Sequence, residues 1–516
     1  MVTSASNHKI AKNSVLLSVR MILVMIISLY ISRVTLRNLG VEDFGIYNVV
    51  CGFVAMFTFL SAAMISGIQR FYNYEYARNG IEGANKVFIT SLQSQSVLAM
   101  IVVLLLESIG LWYMHNIMVI PDDRISAALW IFHMSVLSMV VSMFQASFDA
   151  AIMAHEKMGF YAFLSILNQA LKLGIVLLLP IFSQDRLIVY GFLFLLVTVI
   201  DLCVSAIYSR VNFEEIRIRK IFDRQLFKEM FSFSSWNILG KFALTTKEQG
   251  LNMLLNLFFG PVVNAARGLA FQVTSALNGF VSNISVAVKP QLTQSYAKGD
   301  YRRTFLLMFA NTKIGYLVLF FMALPFCLEI DFILHLWLGN DVPNYTSSFI
   351  IIVFFITMFN GMQGNISFVV HATGNLKLYS IITSLITLLV VPLSYFVLKL
   401  GADPNYVFLI SLLVTFINYI ASVLILHRLV SFSLKAYVQN VIVPLFIMFI
   451  VAIPFPLFAR IFLTSGWLRF AVVLFVSSIS TLLTGYFIVL DASERDFVKR
   501  ILIAKFPALS RFLNVA

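Results

Sequence analysis

The chain has 516 residues, of which 60% are hydrophobic and 12% charged, with 50 Phe and 20 Met, and its mean hydropathy is +0.91. A soluble domain carries about 25% charged residues, so this composition excludes a water-soluble fold and points to an all-α integral membrane protein. The net charge of +13 reads as Lys- and Arg-rich loops on the cytoplasmic side and gives no argument for a nucleic acid partner.

In chain order, Lys9 and Lys12 precede the first apolar stretch, which no small-residue cleavage site ends, so that stretch is expected to remain as a helix. A helix needs about 20 apolar residues to cross the hydrocarbon. The spans predicted on that basis are Ser14–Leu36, Gly45–Ile68, Val87–Met114, Ser126–Phe148, Gly159–Phe182 and Leu187–Ser209. A basic segment follows, then Ser234–Phe259, Val262–Val288, Thr304–Leu328, Ser347–Val370, Tyr379–Leu398 and Tyr406–Leu426. Ala436–Ala459 and Leu468–Leu490 bring the expected number to about fourteen. The organisation implied is an N-terminal six-helix lobe over 1–215, a C-terminal six-helix lobe over 216–430, two additional helices over 431–490 and an amphipathic cytoplasmic tail over 491–516.

With both termini in the cytoplasm, the cytoplasmic segments hold 24 Lys and Arg and the opposite loops 7, leaving six inside the spans. That bias sets the expected orientation. The chain also repeats itself. Gly40 and Gly260 are 220 residues apart, as are Tyr76-Ala77-Arg78 and Tyr296-Ala297-Lys298, while Ala154 and Tyr161 match Ala372 and Tyr379 at an offset of 218. Six spans per half would insert both halves in the same direction, as a parallel pseudo-repeat with a path between the halves.

The six embedded cations are Arg20, Lys172, Lys241, Lys247, Arg267 and Lys313, against three clearly embedded acids, Glu107, Asp201 and Glu248. Each cation costs roughly 2.5 to 3.5 kcal/mol on insertion scales, so such residues face a bundle interior or a wet cavity. On an ideal helix Ser234, Asn237, Lys241, Thr245, Glu248 and Asn252 share one face, a polar stripe expected to line a cavity, whereas Lys247 points about 120° away. Arg267, Thr274 and Asn278 share a face of the next span. Lys172 and Lys313 lie roughly 13 to 18 Å from the cytoplasmic edge, too deep to reach headgroups, and Arg20 roughly 10 Å. Asp201 on the following span is a partner for Lys172. The surplus of cations suggests a site for an anion, with Arg20, Lys172, Lys241, Arg267 and Lys313 as binding residues and Asn237, Thr245, Asn252 and Asn278 as polar lining. The seven His and three Cys show no metal-ligand spacing, and Glu214-Glu215 and Asp122-Asp123 read as solvated loop charges rather than catalytic pairs.

Leu39-Gly40-Val41-Glu42-Asp43-Phe44-Gly45-Ile46-Tyr47, Gln69-Arg70-Phe71, Ala297-Lys298-Gly299-Asp300 and Ala372-Thr373-Gly374-Asn375 resemble segments of bacterial polysaccharide flippases. These belong to the multidrug/oligosaccharidyl-lipid/polysaccharide (MOP) exporter superfamily. The resemblance implies a MATE-like fold of two six-helix bundles with two extra helices. It also implies translocation of an undecaprenyl-diphosphate-linked oligosaccharide from the cytoplasmic to the periplasmic leaflet of the bacterial inner membrane by alternating access. The implied partners are the lipid-linked oligosaccharide, membrane lipids and other polysaccharide-assembly proteins. No cofactor is implied beyond H+ or Na+ coupling, for which Glu248 and Asp201 are the candidates. A flippase for the peptidoglycan lipid precursor would want similar cations. A multidrug exporter of the same superfamily would want an acidic cavity for cationic drugs.

Overall fold

A computed structural model describes residues 23–496 apart from 156, 218, 220–221, 374–376 and 431, together with 499; side chains of 231–240, 281–287 and some neighbours lie outside the described set. The described residues are helical, with no strand. In order they form α1 (Leu23–Leu39), α2 (Val41–Ala55), α3 (Thr58–Leu105), α4 (Leu111–Asn116), α5 (Ile125–Ala154), α6 (Met158–Leu178) and α7 (Arg186–Asn212). The second half continues with α8 (Arg224–Phe259), α9 (Pro261–Ala297), α10 (Tyr301–Leu328), α11 (Ile330–Leu338), α12 (Thr346–Thr373), α13 (Lys377–Leu388), α14 (Val390–Lys399) and α15 (Asn405–Leu429). Last come α16 (Leu434–Tyr437), α17 (Val443–Ala452), α18 (Pro454–Phe462) and α19 (Trp467–Thr484).

Local chemistry sets these boundaries. Asp185, Asp223 and Asp300 each cap a helix by accepting from backbone N–H groups of its first turn, at 2.9 Å to Leu187 and Leu226 and 3.0 Å to Arg303. Gly40 and Gly260 have φ of +84° and +74° and separate α1 from α2 and α8 from α9. The 220-residue repeat thus places a left-handed residue at the same turn in each half, where a side chain would be strained. Gly80, which kinks α3, and Gly299 do the same at φ +60° and +75°, just after the matched Tyr-Ala-basic triplets.

Among the described residues ten helices are long and apolar enough to cross a membrane, and eleven if the bent pair α1 and α2 counts as one span. The expected spans Ser234–Phe259 and Val262–Val288 are helical, within α8 and α9, but are not among those ten. Large apolar side chains stand on the surface, including Met100, Leu104, Ile207, Phe446 and Phe475, each more than 60% exposed. A skin of this kind suits lipid rather than water. Inside the helices, hydroxyls satisfy themselves on carbonyls four residues back, as Thr198 does on Phe194 and Thr357 on Val353.

The chain divides into two compact units. The first comprises the chain to Gln272 with Trp337–Phe349 and Ser384–Ile410, and the second comprises Val273–Leu336, Ile350–Thr383 and the chain from Ser411. In the first, α3, α5 and α7 pack side by side around Phe88, Val102, Phe132 and Met143. Arg124 ties three loops together, donating to Asp43 at 2.8 and 2.5 Å and to Asp185 at 2.5 Å. At the opposite helix ends Glu215 is only 3% exposed. It accepts hydrogen bonds from Tyr72 and pairs with His155 at 2.5 Å, whose ring stacks on Phe213 at 4.1 Å. This corrects the expectation of a solvated Glu214-Glu215 pair: the loop folds back, and Asn85 holds its carbonyls at Glu215 and Arg217. Burial pushes the Glu215 carboxyl up, but hydrogen bonds from Tyr72 and His155 outweigh it and hold the carboxyl below its ordinary value.

In the second unit α10 packs on α18 and α19. Arg469 donates to the buried Glu329 at 2.8 Å, Asn311 bonds Asn365, and the Tyr419 and Tyr437 hydroxyls meet at 2.9 Å.

Candidate functional site

The polar stripe of α8 lies in the first unit, where α8 packs against α2, α3 and α14. Its two lysines differ in exposure. Lys241 is exposed, whereas Lys247 is 6% exposed beside Glu248. Lys247 therefore does not reach out to solvent. Thr245 and Glu248 are half-buried. Arg267, 7% exposed, donates to the backbone carbonyl of Glu248, stands 3.5 Å from its carboxylate and lies 5.9 Å from the Phe271 ring centre. Arg267 thus arrives with its counter-charge.

Asn252 was expected to line a cavity, and the structure corrects this. It is 1% exposed, its amide nitrogen donates to the Asn48 carbonyl at 2.9 Å, and its oxygen accepts from Asn264 at 2.7 Å. Asn256 grips Val119 in the same way, accepting from its N–H at 2.9 Å and donating to its carbonyl at 3.1 Å. These amides join helices to each other, and glycines allow the approach. A Cβ on Gly45 would stand 1.8 Å from the Pro261 carbonyl oxygen, and one on Gly268 would stand 2.6 Å from the Asn48 amide oxygen. Sequence reasoning missed this role of Asn48 and Gly45, since neither is unusual until its partner some 200 residues later is known. Asn278, on α9, is exposed, and Asn237 belongs to the side chains outside the described set.

A second cluster in the same unit joins α5, α6 and α7. Asn168 donates to Asp201, which is 5% exposed. Lys172, one turn after Asn168, feels the Asp201 charge, yet among the described residues no carboxylate lies within 4 Å of its ammonium. It sits instead over the Phe194 ring, 4.9 Å from the centre, a cation–π contact that holds the charge without neutralising it. The expected Lys172–Asp201 ion pair is thus a looser association. Asp149 joins this cluster, close enough to Asp201 to feel its charge. Sequence reasoning ended its span at Phe148, but α5 runs on to Ala154 and carries Asp149 inside.

Lys313, on α10 in the second unit, is 2% exposed and paired. Glu494 accepts from it and Asp491 lies at 3.5 Å. Those two acids form a reciprocal cap at the start of the tail, with Asp491 accepting from the Glu494 N–H and Glu494 from the Asp491 N–H, both at 2.9 Å. Burial pushes Asp491 up, but the Glu494 N–H, Ser493 and Lys313 outweigh it and hold its carboxyl below the ordinary value. The expected free anion-binding lysine is therefore neutralised by the protein's own tail, whose residues beyond 496 are mostly outside the described set. Arg20 also lies outside the described residues. Of the expected cations, the structure brings Lys241, Lys247 and Arg267 to α8 and α9, places Lys172 with Asp201 on α6 and α7, and sets Lys313 apart in the other unit.

The described residues contain no group of three metal-ligating side chains. What the geometry offers is positive charge held among apolar helices.

The family described as polysaccharide biosynthesis protein matches residues 10–296, and the MatE family matches residues 241–396. A curated relative, an uncharacterized membrane protein EpsK of Bacillus subtilis (strain 168), is 21% identical over 295 residues, covering 57% of this chain and 58% of the relative, less than two thirds of its length. Among solved structures, lipid II flippase MurJ in an inward closed conformation superposes with a TM-score of 0.69 at 13% identity, covering 92% of this chain and 98% of that one. An inward-facing multidrug resistance MATE family transporter of the MOP superfamily gives 0.65 at 13% identity over 80% and 98%. A MOP superfamily transporter from Pyrococcus furiosus, described as having a binding pocket of reverse polarity, gives 0.57 at 14% identity over 81% and 96%. At these identities the likeness establishes the MATE-like fold.

Proposed function

This chain belongs to the polysaccharide biosynthesis protein family and has the fold of MOP superfamily transporters, and from that premise we propose that it is a flippase for an undecaprenyl-diphosphate-linked oligosaccharide. It is a transporter rather than an enzyme. The observation that carries the substrate class is Lys172, a membrane-embedded cation held over Phe194 with no carboxylate within ion-pair distance among the described residues. Such a charge is costly to keep and is discharged by a diphosphate through charge-assisted hydrogen bonds. Lys241, exposed on α8, supplies a second cation and Thr245 supplies a polar contact for the glycan, while the polyprenyl tail stays in lipid.

In this reading the lobes 1–215 and 216–430 alternate access in the bacterial inner membrane with both termini in the cytoplasm, and H+ or Na+ binding at Asp201 or Glu248 supplies the bias between states. The lipid precursor of peptidoglycan carries the same diphosphate, and the MurJ likeness makes it the second substrate to test. The test loads fluorescent lipid-diphosphate oligosaccharide, lipid II and a cationic dye separately into proteoliposomes containing this protein. Movement of the oligosaccharide lipid supports the reading, and movement of dye alone overturns it.

A further inference from the structure

Asp149, Asp201 and the buried face of α7 form an arrangement that anion binding does not use. Asp201, Ser205 and Ser209 recur at four-residue intervals along α7, so they follow one face for about 12 Å towards its Asn212 end. Ser205 and Ser209 are fully buried. Their hydroxyl oxygens and one oxygen each of Asp149 and Asp201 have no hydrogen-bond partner in the protein. Ser205 lies beside Asp149 across the α5–α7 contact. α3, packed on α5, adds the fully buried Ser94 and Gln95, whose side-chain polar atoms are likewise unpartnered. Polar groups in an apolar bundle are normally paired, so a line of orphaned oxygens leading to two neighbouring acids requires a polar occupant.

We propose that Asp149 and Asp201 bind a single proton between them, delivered from the Asn212 end of α7 along the Ser209–Ser205 face, and that this is the protein's coupling ion. The proposal deepens the flippase reading and rests on it only for the word coupling. Two adjacent carboxylates in a poorly solvated site cannot both stay ionised, and one proton relieves both the repulsion and the desolvation. The step is an addition alone: an O–H bond forms on one of the two carboxyls, and no other bond changes. Among the described residues the charged group recorded at the pair is Lys172 on α6, which feels Asp201, and Asn168 donates to Asp201. Lys172 also argues for a proton over a metal cation, because it already places a positive charge beside the site. Protonating the pair halves the negative charge beside Lys172 and leaves that lysine more available to an external anion.

The test titrates the purified full chain in lipid nanodiscs by infrared difference spectroscopy, without substrate. A protonated-carboxyl band that titrates once is expected in the native protein, lost in both Asp149→Asn and Asp201→Asn and unchanged when sodium chloride replaces choline chloride. Ser205→Ala should keep the band and slow its appearance after a pH jump. A band absent from the native protein, retained in both Asn variants or abolished by sodium would overturn the proposal. The flippase reading stands or falls separately, on the proteoliposome assay. If Asp149→Asn does not fold, Asp149→Glu, which keeps the carboxyl, should show the band with a shifted midpoint, and an unshifted midpoint would count against Asp149.

Discussion

Replacing Gly45 by Ala should pry α2 away from α9. The new Cβ would stand 1.8 Å from the Pro261 carbonyl oxygen and 2.5 Å from its carbon, and a relaxed C···O contact needs roughly 3.3 Å. Neither atom belongs to a flexible side chain, so the helices must part by about 1.5 Å. The Asn252–Asn48 bond of 2.9 Å joins α2 to α8 and cannot survive such a shift. At about 1 kcal/mol for that bond and about 1 to 2 kcal/mol for the overpacked contact, the change weakens this contact by about 2 to 3 kcal/mol, which is roughly a 30- to 150-fold change in its opening equilibrium. The assay places a reporter cysteine at Ala265, fully buried on α9, in protein whose Cys51, Cys203 and Cys327 are replaced, and measures its thiol labelling in nanodiscs. Gly45→Ala should raise the labelling rate at least tenfold, with the Asn256→Ala change having a smaller effect in the same direction. An unchanged rate in a folded protein would refute the claim that close packing at Gly45 keeps these helices shut.

Further predictions concern the charged clusters. Lys172→Gln should lower transport of a lipid diphosphate by about ten- to a hundredfold, the worth of one charge-assisted hydrogen bond, with little change in melting temperature because its ammonium rests on the Phe194 ring with no carboxylate in ion-pair distance among the described residues; a fall in stability with transport intact would assign it a structural role. Lys313→Met should destabilise the protein by about 2 kcal/mol, less than a fully buried pair would lose because Asp491 is half-exposed. Adding Glu494→Gln should recover part of that loss in thermal unfolding, and strict additivity would count against the pairing. The Glu215 carboxyl is held below its ordinary value, so its contribution is complete above the ordinary carboxylate value of about 4.3 and fades as the pH falls through its lower folded value. Glu215→Gln should therefore lower the melting temperature at neutral pH, and the gap to the native protein should close on acidification below about 4; a gap independent of pH would contradict this.

Much of the architecture was legible because the bilayer imposes it. Apolar run length located helices, and Gly40 and Gly260, read as repeat markers, turned out to occupy left-handed turns. The chemistry of the embedded cations was only half legible. Their presence could be counted, but their neutralisation depends on distant residues. Lys313 meets acids 178 and 181 positions later, and Arg267 bonds a residue of the preceding helix. Asp149 escaped notice because hydropathy ends a span at the first charge, while backbone hydrogen bonding carries α5 on to Ala154. That error comes from letting a helix end where its hydropathy does.

The most direct test of the account is flipping of a fluorescent undecaprenyl-diphosphate oligosaccharide in proteoliposomes, native protein against Lys172→Gln, with a cationic dye as control. The account predicts movement of the lipid-linked glycan by the native protein, strong loss of it in the variant, and no dye transport by either. Dye transport without glycan movement, or full glycan flipping by Lys172→Gln, would contradict it.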